Sequence, residues 1–445
     1  MTKLKASGVE WLGDIPSHWE VKRNLGIFVE RNEANRPDDE LLSVTITRGV
    51  IKQSEITSKK DSSNEDKSKY KVIKQGDLAY NKMRAWQGAI GVSKYDGICS
   101  PAYIVLTPNN PKLSRYFHYL FRTPIFIAEA NRLSYGLCDD MNTLRYDDFK
   151  TSYSPVPTDE DLDRIVEFLD RKTAQIDALI EKKQRLLKLL DEQLAIKINN
   201  AVTKGIVNPE FGTLNPHLST PNKPIYTTHT SPLKNSNIEW IGEIPEEWDE
   251  IKLGAISKFH SGATPSKENT SYWSGNVPWV SPKDMKRIRI SSSIDTITEL
   301  ALQRTNIKLL PINTILIVVR GMILQRYVPL ATNTIPVTIN QDMKGIELTN
   351  SDQDSNYIST LLNSNQAAFA GSIDEAGHGT KCIRTENLKS MLLPSPHIAQ
   401  QEKINAYSTN MYSKYSETSQ KINNSISYLE NLRTALISKS VTGTI

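Results

Sequence analysis

The chain has 445 residues, 3 cysteines, 23% charged and 38% hydrophobic residues, and a formal net charge of +4. That composition excludes a disordered, collagen-like or disulfide-stapled chain and, at roughly 150 residues per domain, predicts two or three globular domains. The longest apolar stretch, Ile312 to Val319, is interrupted by Asn313 and Thr314, so no membrane span is encoded. Met1 to Gly8 lacks the apolar core of a signal peptide, and a cytoplasmic location is expected. Cys99, Cys138 and Cys382 form no Cys-x-x-Cys pair. A zinc ribbon and a dithiol redox centre are therefore not expected.

The chain opens on Gly8-Val-Glu-Trp11-Leu-Gly13-Asp-Ile15-Pro16-Ser-His-Trp19, which returns as Asn237-Ile-Glu-Trp240-Ile-Gly242-Glu-Ile244-Pro245-Glu-Glu-Trp248. The register is constant and gapless, and it carries two tryptophans, a glycine and an Ile-Pro. Next comes a mixed α/β segment. Tyr70 to Tyr80 reads as strand, turn at Gly76-Asp77, strand; Ala102 to Leu106 reads as a strand and Ser114 to Phe121 as a short helix. Within it, Asn81-Lys82-Met83-Arg84-Ala85-Trp86-Gln87 packs two bases, two amides and an indole together.

From Leu162 the apolar residues Ile165, Leu169, Ile176, Leu179/Ile180, Leu187, Leu190, Leu194, Ile198 and Ala201 follow a heptad seam, with Lys172 and Lys183 filling two positions. Thr158-x-x-Asp161 predicts a capping-box-like start, and Gly205 a stop. The resulting rod is roughly 65–70 Å long. Residues 206–236, with Pro209, Pro216, Pro221, Pro224 and Pro232, read as a linker.

The second half repeats the plan. Thr314 to Val319 is a buried strand by its branched content, and Tyr357 to Asn363 a short helix. Pro394-Ser-Pro396 then Glu402-Lys-Ile404 echoes Pro155-Val-Pro157 then Asp163-Arg-Ile165, and Val441-Thr442 and Ile445 echo Val202-Thr203 and Ile206. A poorer seam (Ile404, Met411, Tyr415, Ile422, Ile426, Leu429, Leu432, Leu436) has Ser408 and Thr418 intruding. The frame repeats, whereas 26–154 and 255–393 share little identity. Two seams of matched length with a globular domain between them favour antiparallel pairing; separate packing of each helix on its own domain or on a partner is the alternative.

No catalytic constellation is found. Gly-x-Ser-x-Gly and the P-loop pattern are absent. Pro37-Asp38-Asp39-Glu40 lacks the following Asp/Glu-x-Lys of a nuclease and reads as a charged turn. Asn208-Pro209-Glu210-Phe211 only approaches a methyltransferase motif, and no glycine-rich cofactor loop accompanies it. The histidines form no ligand pair, and Gly377-His378-Gly379-Thr380-Lys381 reads as a surface turn presenting Lys381 and Arg384. What stands out is basic charge: Ser281 to Leu330 holds Lys283, Lys286, Arg287, Arg289, Arg304, Lys308, Arg320 and Arg326 against Asp284, Asp295 and Glu299. Such residues grip phosphates or read base edges. The candidate DNA-binding residues are Lys82, Arg84, Lys283, Arg320, Arg326, Lys381 and Arg384; an ordinary solvated face is the competing reading for each.

With its Glu10-to-Trp19 block and the echo at Glu239 to Trp248, Gly76-Asp77-Leu78, Val277-Pro-Trp279-Val-Ser281-Pro-Lys283-Asp284-Met285 and Gln400-Gln401-Glu402-Lys403-Ile404, the chain resembles the specificity subunits of bacterial type I restriction-modification systems along nearly its whole length. The first long helix departs from the family, having Asp161-Leu162 where the second has the glutamine pair. The resemblance implies an α+β chain with two target recognition domains (1–157 and 237–396) separated by two long helices (158–205 and 397–445) in an antiparallel coiled coil, a pseudo-two-fold repeat. It implies that each domain reads one half of a split double-stranded DNA target, that the helices set the gap and dock two methyltransferase subunits, and that separate restriction/translocase subunits cut. It implies no cofactor in this chain; S-adenosylmethionine and the adenine chemistry belong to the methyltransferase partner. A self-sufficient adenine methyltransferase and a protein-only coiled-coil scaffold are the competing functions.

Overall fold

The computed structural model describes residues 3–56, 66–136, 142–206, 232–375 and 379–443. Cys138, Asn208 to Phe211, most of the 206–236 linker, Gly377, His378 and Ile445 lie outside them. The described chain forms two units, Met1–Arg185 with Ile422–Ile445, and Leu186–Lys421. Each therefore combines chain from both halves of the sequence.

In the first unit an antiparallel sheet runs Phe28–Glu30, Tyr103–Pro108, Leu78–Asn81, Ile90–Val92. In the second, Ser257–Ser261, Met343–Leu348, Ile315–Val318 and Leu330–Asn333 repeat that order, and Arg289–Ile290 adds a parallel edge. The central strand Ile315–Val318 is buried at all four positions, which suits its branched aliphatic run. A helix follows the second strand of that order in each case, Leu113–Leu120 after Tyr103–Pro108 and Ser355–Ser364 after Met343–Leu348. The segment around Gly76-Asp77 is strand, turn, strand, but its strands Lys71–Ile73 and Leu78–Asn81 join different sheets.

The repeated tryptophan block is a hairpin in both units. Leu4–Ala6 pairs Asp14–Pro16, and Leu233–Asn235 pairs Glu243–Pro245. Gly13 and Gly242 take φ of +63° and +82° in the connecting turns, a left-handed backbone that explains the repeated glycine. Each domain is then closed by pairing its entry strand with its exit strand, Glu20–Arg23 with Tyr153–Val156 and Asp249–Lys252 with Leu392–Ser395. Variable content can thus change between two fixed, adjacent ends.

The long helices span Asp159–Lys204 and Ile398–Val441. They pair antiparallel within each unit: Asp177 meets Arg433 at 2.9 Å in the first, and Asp191 accepts from the Tyr415 hydroxyl in the second. Leu169, Ile176, Ile198 and Ala201 are buried along the seam, as are Ile404, Ile422 and Ile426. The structure resolves one seam position that the heptad reading left between two residues and changes another. Leu179 is exposed and Ile180 takes the inward place, because a 3.6-residue turn brings only one of two adjacent residues to the seam. Likewise Thr418 is exposed and its neighbour Ser419 lies inward.

Helix ends dock on the domains through matched contacts. The Tyr116 hydroxyl donates to the Val441 carbonyl at 2.7 Å in the first unit, and the Tyr357 hydroxyl to the Val202 carbonyl at 2.9 Å in the second. Thr158 caps the first long helix by accepting from the Asp161 amide at 3.4 Å. The Asp161 carboxylate does not reciprocate; it accepts instead from the Trp19 indole at 2.7 Å and meets His18 Nε2 at 2.6 Å. The departure at Leu162 also has a structural consequence. Leu162 joins the first unit's apolar core, whereas its counterpart Gln401, fully buried, donates to the Pro396 and Asp352 carbonyls and accepts from the Asp354 amide.

Candidate nucleic-acid interface

The second unit gathers basic side chains at one end of its five-stranded sheet. The chain leaves the central strand through Val319 and Arg320, whose amides donate to the Asp342 carbonyl at 2.8 and 3.2 Å. The Gly321 amide donates to the Lys381 carbonyl at 3.0 Å and the Ile383 amide to the Val319 carbonyl at 2.9 Å. Arg320 therefore runs beside the hairpin Ile373–Glu375/Lys381–Ile383. A short 3-10 turn, Met322–Gln325, carries the chain to Arg326. Arg320 and Arg326 are exposed, as are Met322 and Tyr327 between and beside them.

Lys283 reaches this end from another strand. Beyond Trp273–Val280, Asp284 folds the turn by accepting from the Ser281 amide at 2.8 Å and the Ile294 amide at 2.7 Å, leaving Lys283 exposed. The Asn340 amide donates to the Val280 carbonyl at 2.9 Å, and the Asn340 side chain accepts from the Asp342 amide at 3.2 Å. This ties the Lys283 turn to the segment holding Arg320. Among the described residues Lys283, Arg320 and Arg326 have no acidic side chain within ion-pair distance. Lys381 and Arg384 differ: each is paired across the hairpin at 2.8 Å, with Glu375 and Asp374.

The first unit places Lys82 and Arg84 on the same connection of its own sheet, between the strand Leu78–Asn81 and the strand Ile90–Val92, again through a 3-10 turn, Ala85–Gln87. Most of the polar groups singled out there fold the loop. Asn81 Oδ1 accepts from the Met83 amide at 3.1 Å, the Trp86 indole donates to the Met83 carbonyl at 3.0 Å, and Arg84 donates to Gln87 Oε1 at 3.3 Å. Lys82 is half-buried, while Met83 and Arg84 are exposed. Beside the loop opens a cleft of about 650 Å³, lined by Ser43, Thr45, Gln53, Asn81, Arg84 and Tyr103 among others. Asp77 of the Gly-Asp-Leu motif is buried, accepting from Arg31 Nε at 2.7 Å, the Thr107 hydroxyl at 2.7 Å and the Lys74 amide at 2.8 Å. It pins the sheet and raises the Arg31 pKa by that hydrogen bond.

Burial pushes the Cys99 thiol up to about 12, as expected of a core cysteine. Among the described residues no group of three His, Cys, Asp or Glu side chains could hold a metal ion.

Sequence reasoning missed Arg145. It is exposed, it lies over the Tyr135 ring at 4.5 Å, and the amide of its neighbour Leu144 donates to the Lys82 carbonyl at 2.9 Å. The signal was present: the register relating Pro155 to Pro394 extends back through Leu144-Arg145 and Ile383-Arg384 to Phe149 and Leu388. Arg145 and Arg384 each precede a six-residue helix, Tyr146–Thr151 and Thr385–Ser390. The repeated frame is thus longer than its identities indicate.

Two sheet domains of one plan, each joined to a long helix pair and each exposing a basic strand-to-strand connection, make up a duplicated fold. Residues 245–428 match the family model for the type I restriction modification DNA specificity domain. The chain is 38% identical over 164 residues to the specificity subunit of the type I restriction enzyme EcoR124I/EcoR124II of Escherichia coli, a match covering 37% of this chain and 39% of that protein. It is 32% identical over 167 residues to the MjaIX specificity subunit of Methanocaldococcus jannaschii, covering 37% of this chain and 38% of the relative. The matches thus span about two fifths of these curated relatives' lengths. A chain from a solved structure of the type I restriction-modification system, described for complex assembly and conformational transition, shares the fold with a TM-score of 0.68 at 14% identity, over 97% of this chain and 99% of that one. Residues 245–428 thus match a type I restriction modification DNA specificity domain, and the chain as a whole shares the fold of that solved neighbour.

Proposed function

We propose that this chain is the sequence-specific DNA-recognition subunit of a type I restriction-modification complex, with 1–157 and 237–396 each reading one half of a bipartite duplex target. Arg84, Lys82, Lys283, Arg320 and Arg326 carry the DNA contacts in this reading; Lys381 and Arg384, the remaining candidates, lie in a hairpin whose charge is already balanced. The chain performs no bond-making. S-adenosylmethionine and adenine methylation belong to methyltransferase subunits, translocation and cleavage to restriction subunits, and the complex works in the cytoplasm, where the DNA is. No helix among the described residues is long and apolar enough to cross a membrane.

One observation carries the reading. The segment matching a DNA specificity domain contains the second sheet's exposed Arg320–Arg326 connection, and the unmatched first half presents the equivalent connection at Lys82–Gln87. Arginine presents a bidentate donor fork suited to guanine edges and phosphates. The exposed Leu186, Leu189 and Ile196 on the first long helix support docking of a helical partner there.

Mapping modified adenines in cells that express the chain with its methyltransferase tests this. A split motif is expected, and Arg320→Ala with Arg326→Ala is expected to relax or abolish only one half of it. Methylation by the purified chain alone with S-adenosylmethionine would favour the self-sufficient enzyme. Absence of any sequence-selective modification with partners present would favour the scaffold.

A further inference from the structure

The first and second recognition domains carry one arginine at the same place in the frame, and they hold it differently. Arg145 and Arg384 sit ten residues after Tyr135 and Asp374, at the foot of the equivalent segment in each domain. The Arg145 guanidinium lies over the Tyr135 ring at 4.5 Å; Arg384 Nε is 2.8 Å from the Asp374 carboxylate. Tyr135 is 49% exposed, and no carboxylate among the described residues pairs with Arg145. Both arginines adjoin the basic connection of their own sheet, through the bonds from Leu144 to Lys82 and from Ile383 to Val319.

The physical difference is one of net charge. An aromatic face orients a guanidinium without neutralising it, so its positive charge and N–H edge stay available to an anion. A carboxylate occupies one N–H edge and cancels the charge; an approaching phosphate then meets a neutral pair containing a negative oxygen. Resting on the DNA-recognition reading, we infer that Arg145 is a phosphate-contacting residue of the first domain, and that Asp374 withholds its counterpart Arg384 from the same role in the second. The two domains then differ in how much of their affinity is electrostatic and independent of sequence, at a position common to both.

Each phosphate neutralised on a duplex contributes about 0.9 to the slope of log affinity against log salt. The test measures that slope for the full chain co-purified with its methyltransferase subunit. The probes are a duplex carrying the modified-adenine motif and a scrambled duplex of equal length. Arg145→Gln is expected to make the slope shallower by about 0.9 on both duplexes and to weaken binding about eightfold at 0.1 M salt. Arg145→Lys is expected to keep the slope, and Asp374→Asn to steepen it by about 0.9 by freeing Arg384. Melting temperatures, measured alongside, are expected to match the wild type. An unchanged slope in Arg145→Gln overturns the proposal, as does a loss confined to the motif duplex, which would mark a base contact. A wild-type complex that binds motif and scrambled duplexes equally overturns the recognition reading itself, and the proposal with it.

Discussion

At the residue scale, Asp161 shows how a position in a helix cap becomes a tertiary lock. Burial alone would raise its carboxyl; the hydrogen bonds from Trp19 and His18 and the charge of Arg164 outweigh that and hold it below its ordinary value of 3.8. A depressed carboxyl contributes stability that is present above its unfolded-state value and is lost as pH falls through the lowered folded-state value. The first unit should therefore weaken on acidification below about pH 4. Trp19→Phe removes one donor and should shrink that acid-sensitive contribution, flattening the unfolding midpoint against pH between about 2 and 5. A midpoint whose pH dependence matches the wild type would show that Asp161 is held by other groups.

At the scale of elements, Gln401 and Leu162 occupy one place in two helix starts with opposite chemistry. Gln401 satisfies two carbonyls and an amide inside the second unit. Gln401→Ala leaves those groups buried without partners and should destabilise that unit by about 2–4 kcal/mol, read as a shift in denaturant midpoint. Leu162→Ala, losing only apolar packing, should cost about 2–5 kcal/mol in the first. The elements themselves were largely legible. Heptad spacing located both long helices and branched aliphatic content located the central strand, because burial on one stripe or on both faces leaves a local pattern. The seam detail at Leu179 and Thr418 was not legible, since two adjacent candidates are separated only by the angle at which the partner helix approaches.

At the scale of the whole molecule, the units are assembled across the chain. Residues 422–445 belong with 1–185, and Tyr116, Trp19 and Val441 meet in that unit's core. Deleting 422–445 should therefore damage the N-terminal unit and spare the other. Trp19, 1% exposed, loses its cover, so limited proteolysis should cut early within 1–185 while 232–375 resists. Equal resistance of both regions would contradict the interleaved assembly. The same organisation explains the repeated tryptophan blocks: each supplies the seat on which a helix end from elsewhere in the chain docks, Gly443 lying against Trp19 and Gly205 against Trp248.

Sequence by itself determined the duplication, the two rods, a few of the sheet strands and the presence of basic segments at Asn81–Gln87 and Ser281–Leu330, because each is written in contiguous residue types and their spacing. Only the tertiary structure decided that the loops at Asn81–Gln87 and Arg320–Arg326 are the same strand-to-strand connection, what holds Arg145 and Arg384 in place, and which cations are already matched. Lys381 and Arg384 look as available in the sequence as Arg320; the hairpin that brings Glu375 and Asp374 to 2.8 Å of them makes the difference. Charge compensation acts through space over a few ångströms, and the residues it joins are chosen by how strands pair, which local composition does not encode.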